Sequence, residues 1–178
     1  VSYGGIAASG QYVFVTDMET VGSEAQGLVR FNTYDGSATR FSASEEYIDV
    51  TLGWDGLLYA LDQDESNVRV FNPATLASIR DFTLKDGALD EGVRALAVNA
   101  IGEVFAASWD DNLYKFAADG TLLVTKASGE FDLTDIDLRA DGTIAVGSRF
   151  GDVVITDESL TTVTAFNVGT TSTFVSFG

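Results

Sequence analysis

A turn-and-strand pattern recurs along the 178 residues, and it constrains the fold more than any other feature. Small turns at Gly10, Gly56, Gly102 and Gly142 lie 46, 46 and 40 residues apart, and Gly178 offers a fifth anchor. After each of the first four comes a strand-like run: QYVFVTD, LLYALDQ, EVFAASW and TIAVGSR. A polar loop follows, then a second run (GLVRFNTYDG, NVRVFNPATL, NLYKFAADGT, DVVITDESLT) and a third (SATRFSA, ASIRDFTL, LLVTKAS, TVTAFNV). Another run precedes each anchor: GGIAAS, IDVTLGW, RALAVNA, TDIDLRA and, at the end, STFVSF. The expected unit is therefore four strands, A to D, with A before the anchor. Its units span 1–43, 44–85, 93–128 and 133–168, and a fifth first strand is expected at 171–177. Repeats of this length are the mark of stacked or radial architectures.

The run after each anchor reports how it is covered. Positions two and four hold Tyr12/Phe14, Leu58/Ala60, Val104/Ala106 and Ile144/Val146. Positions three and five hold Val13/Val15, Tyr59/Leu61, Phe105/Ala107 and Ala145/Gly147. Both faces are apolar, whereas a strand with one wet face alternates with polar residues. Four-stranded antiparallel sheets covered on both faces arise when sheets stack around an axis, so the expected fold is an all-β propeller of about four blades. A β-sandwich or long meander is the competing reading, and it leaves the period unexplained.

Segments such as NVRVFNPATLASI and NLYKFAADGTLL resemble the C–D hairpin of YVTN, quinoprotein-like and NHL-type blades. The likeness covers nearly the whole chain and implies the fold of those blades. WD40 repeats fit less well. The two Trp-Asp pairs, Trp54-Asp55 and Trp109-Asp110, fall in turns and not at the end of strand C.

Four blades with a spare first strand leave three possibilities open. The chain is a segment of a larger ring, a partial ring completed by another copy, or a small closed ring with one redundant strand. The first is the favoured expectation, because apolar blade faces at the ends invite association.

Composition narrows the chemistry. The formal net charge of −17 repels nucleic acid and anionic membrane surfaces. Without Cys or His there is no disulfide, thiolate zinc site, imidazole base or Ser-His-Asp triad. The Thr-, Ser- and Gly-rich last twenty residues do not read as a membrane span. Many Asp with few Lys point to an extracytoplasmic setting (secreted, periplasmic or cell-surface, bacterial or archaeal).

The acids concentrate where B–C and D–A loops share one rim. There an acidic face is expected from Asp17, Glu19, Asp62, Asp64, Glu65, Asp110 and Asp111, suited to a cation or a basic partner. Within DQDES, Asp62 and Asp64 alternate oxygen ligands as calcium loops do, but the Gly and distant Glu of an EF-hand are missing. Solubilising acids on polar loops are the plainer reading. Asp49 and Asp135 each stand seven residues before an anchor, on the innermost strand, and are expected to face the channel or to tie a loop backbone. Arg30, Arg69 and Lys115 recur on strand C and are expected to cover blade edges with their stems.

Two functions follow as expectations. One is a non-catalytic binding or assembly module, whose partner is a protein or another copy of itself. The other is a calcium-dependent enzyme resembling lactonase or lyase propellers, although such lyases commonly use a His general base that this chain lacks.

Overall fold

The computed structural model describes residues 4–17, 27–42, 45–62, 66–84, 92–130, 132–161, 164–169 and 171–177. Sixteen strands are present, and no helix occurs among the described residues. They form four antiparallel sheets, each taken from consecutive strands. The first blade contains β1 (Ile6–Ser9), β2 (Tyr12–Asp17), β3 (Gly27–Asn32) and β4 (Ala38–Phe41). The second contains β5 (Tyr47–Leu52), β6 (Leu58–Asp62), β7 (Asn67–Phe71) and β8 (Ser78–Thr83). The third contains β9 (Val93–Val98), β10 (Val104–Ser108), β11 (Asn112–Phe116) and β12 (Leu122–Ala127). The fourth contains β13 (Leu133–Leu138), β14 (Thr143–Ser148), β15 (Asp152–Asp157) and β16 (Thr164–Asn167).

The inner strands β1, β5, β9 and β13 pack on one another in that order. The core is accordingly three slabs between neighbouring blades. Phe14, Leu28, Tyr47, Val50, Leu58, Ala60 and Phe71 fill the first. There Phe41 sits edge-on to both Phe14 and Phe71, joining the slab by aromatic contacts. Tyr59, Leu61, Val68 and Val70 of the second blade meet Leu96, Val98, Val104 and Ala106 of the third. Phe105, Ala107 and Leu113 then meet Ile136, Leu138, Ile144 and Val146 of the fourth. The two apolar faces of β6 and β10 are thus explained: each points into a different slab. The outermost strands differ, and β16 is exposed throughout.

The A–B turns set these faces. In blades two to four a five-residue turn repeats the same bonds. Gly53 N–H donates to Leu57 O, Asn99 N–H to Glu103 O and Arg139 N–H to Thr143 O. The anchor glycines Gly56, Gly102 and Gly142 have φ of 81°, 81° and 84°, which only glycine adopts freely. Blade one is built otherwise. Ser9 pairs directly with Tyr12, leaving a two-residue turn at Gly10 and Gln11. That turn is three residues shorter, an odd number, so the alternation after Gly10 is reversed. Phe14, four after its anchor, faces the next blade, whereas Ala60, Ala106 and Val146 at the same spacing face the preceding one. The equal spacing of anchors had placed Tyr12/Phe14 with Leu58/Ala60; the shorter turn corrects that assignment.

Residues 171–177 belong to no paired strand, yet they run extended along the fourth blade. Thr173, Val175 and Phe177 are partly buried, and Ser172, Phe174 and Ser176 alternate with them as exposed residues.

Candidate functional site

Two regions bear the chain's charged chemistry: the inner strands and the rim where the B–C and D–A loops meet. On the inner strands the carboxylates are engaged with main chain. Asp49 accepts from Val50 N–H through Oδ1 at 2.8 Å, and from Leu96 N–H of the next blade through Oδ2 at 2.8 Å. Asp135 accepts from Val175 N–H at 2.8 Å, and Asp137, two residues on, accepts from Phe177 N–H at 2.6 Å. Asp137 also accepts from Leu138 N–H at 2.8 Å. Each carboxylate therefore clasps its own strand to the segment beside it. Blade three has Ala95 at this position and no such clasp.

Burial pushes the Asp49 carboxyl up to about 7, and the nearby Asp135 charge adds to the rise; the Leu96 and Val50 N–H groups oppose it. Burial raises Asp135 as well, against the N–H groups of Val175 and Ile136. The close fit around Asp49 requires a glycine. A Cβ on Gly5 would lie 2.1 Å from Asp49 Oδ1 and 2.3 Å from Val50 N.

On the rim, Asp17 at the end of β2 pairs with Arg40 at 2.6 Å. Asp62 closes β6 opposite Tyr47. Glu19, Asp64 and Glu65 lie outside the described residues, and with Asp64 lies half of the expected calcium pair. Asp110 accepts from Asn112 N–H at 3.1 Å and from the buried Tyr114 hydroxyl. Asp111 has a φ of 68°; its main-chain oxygen accepts from Ser128, and its Oδ1 accepts from Asp132 N–H at 2.9 Å. These two acids shape their own loops and tie them to the next connection. Between blades three and four, burial and then the charge of Asp152 raise Glu130. Among the described residues, no three acids gather closely enough to hold a metal ion.

Of the strand-C cations, Arg30 bridges to the next blade, whereas Lys115 stays within its own. Arg30 lies 4.3 Å over the Tyr12 ring and donates to Ala74 O of the second blade at 2.8 Å. Arg69 reaches Glu45 at 3.4 Å, and Lys115 pairs with Glu103 at 2.9 Å. Both tryptophans have roles that their loop positions alone concealed. Trp54 Nε1–H donates to Leu138 O at 3.0 Å, reaching from the second blade's turn to the fourth blade's inner strand. Trp109 carries the Arg94 guanidinium 3.6 Å above its ring. Neither contact follows from local sequence, since each partner comes from another element.

No protein-family model matches the chain, and no curated protein matches it by sequence. Solved structures do. A chain of the mitotic checkpoint complex is 15% identical with a TM-score of 0.70, over 96% of this chain and 51% of that one. A streptogramin B lyase is 12% identical with a TM-score of 0.72, over 94% and 55%. Virginiamycin B lyase from Staphylococcus aureus is 17% identical with a TM-score of 0.66, over 92% and 55%. The fold is that of a β-propeller. At these identities the likeness speaks for the propeller alone. This propeller chain spans about half the length of those structures.

Proposed function

We propose that the chain is a non-catalytic binding or assembly module of an extracytoplasmic protein. The observation carrying this reading is the engagement of the inner-strand carboxylates. Asp49, Asp135 and Asp137 accept main-chain N–H groups at 2.6–2.8 Å, which gives each a role in holding neighbouring segments together. General acid–base chemistry needs a group within reach of a reacting proton, and His, the usual one, is absent. The acidic rim is the face offered to a basic partner. The composition, rich in Asp and poor in Lys, supports the extracytoplasmic setting.

The second reading is a calcium-dependent lactonase- or lyase-like enzyme. It is favoured by Glu130, whose carboxyl is raised in part by Asp152 across the rim; a divalent cation would relieve that repulsion. The likeness to two lyases adds the fold but no site. Melting with calcium against chelator, together with turnover of simple lactones and of streptogramin B, separates the readings. The module reading expects no turnover and a melting temperature that calcium leaves nearly unchanged. Turnover that chelator abolishes would replace it with the enzyme.

A further inference from the structure

On the fourth blade Ala145 and Gly147 of β14 are buried, but the β15–β16 part of the face that the second and third blades bury is open. In β6 and β7 that face is Tyr59, Leu61, Val68 and Val70, all fully buried by the next blade. In β10 and β11 it includes Phe105, Ala107 and Leu113, also buried. The matching residues of β14 and β15 are Ala145, Gly147, Ile155 and Val153, paired in the same register. Val153 and Ile155 are only half-buried, and Phe166, opposite Val153 on β16, is 54% exposed.

Beside this face lies the segment 171–177, held as an inner strand is held. Asp49 and Asp135 occupy equivalent register positions, opposite Leu61 and Gly147 next to the same irregularity. Leu96 on Asp49 therefore corresponds to Val175 on Asp135, and residues 172–177 correspond to β9. The side chains agree: Leu96 and Val98 face back onto the preceding blade, as Val175 and Phe177 do. The N–H groups of Thr173, Val175 and Phe177 point to Ser148 O, Asp135 and Asp137. In an extended chain those of Ser172, Phe174 and Ser176 then point to the opposite edge, which no strand pairs among the described residues. By the same correspondence Gly178 matches Asn99 and not the anchor Gly102.

We propose that this edge and face are a docking seat for a three-stranded antiparallel apolar sheet that lacks its own innermost strand. Residues 172–177 supply that strand, and the sheet covers Val153, Ile155 and Phe166. The seat continues the inter-blade packing already repeated three times. A second copy of this chain fits less well, because its first blade brings its own β1 to the place that 172–177 occupy. The inference rests on the assembly reading above and names the partner.

The test extends the full chain. A copy of residues 99–128 is joined directly after Phe177, replacing Gly178, which puts the copied Gly102 at position 181. Hydrogen exchange should show new protection at Ser172, Phe174 and Ser176 and throughout the added strands, with a melting temperature several degrees above the parent. A joint one residue shorter turns the wrong face inward and should lose both effects. D135N with D137N should weaken the gain in the extended chain. Equal protection with either joint, or none with the correct one, overturns the proposal. So does a parent chain that dimerises with protection over the same residues, since the seat then belongs to a second copy. Lactone turnover or calcium binding would change the functional reading while leaving this result standing.

Discussion

At Asp49, a carboxylate set deep between two blades makes folding less favourable as pH rises. Its folded pKa of about 7 lies above the ordinary 3.8, so the native state holds the proton more tightly than the unfolded chain. The associated stability is complete below pH 4 and is lost as pH rises through 7. D49N removes the ionisation and one acceptor. Its melting temperature relative to the parent should therefore improve from pH 5 to pH 7 and level off above that; an offset that stays constant from pH 5 to pH 8 would refute the assignment. Steric fit gives a second test. A Cβ at Gly147 would stand 2.0 Å from Thr173 O, a main-chain atom held by neighbouring bonds. Gly147→Ala should cost about 1–3 kcal/mol in urea unfolding and should release 171–177 to faster exchange. Residue chemistry of this kind was half legible in the sequence. The position of Asp49 and Asp135 on the inner strand, and their option of tying backbone, could be read from spacing. Their actual donors, 40 and 47 residues away, could not, because no local pattern encodes which blade lies alongside.

Among the elements, burial falls from the middle of each blade to its outer edge. β10 is buried along its whole length, while β16 is exposed along its whole length. Amides of β6, β10 and β14 should exchange only by global opening, and those of β4 and β16 by local fraying several orders of magnitude faster. Uniform protection across a blade would contradict this gradient. The strands themselves were legible because apolar runs and glycine turns recur at nearly constant spacing. The first blade's reversed faces were not. An anchor glycine marks where a turn lies but not its length, and Gly10 closes a two-residue turn while Gly56 sits in a five-residue one.

For the molecule as a whole, the net charge of −17 is the dominant long-range force. The excess of acids over bases opposes compaction, and salt screens the repulsion over about 8 Å at physiological strength. Raising NaCl from 20 to 500 mM should therefore raise the melting temperature by several degrees at pH 7.5, with a smaller rise at pH 5. An insensitive melting point would mean that the acids are already balanced within their loops, as Asp17 is by Arg40.

The odd-numbered difference between the first turn and its counterparts bears on how such chains diversify. Recombination that splices modules at equivalent glycines would preserve length and composition among blades two to four. The same crossover at Gly10 would send Phe14 outward and valines inward, leaving a protein of ordinary sequence with its first interior layer inside out.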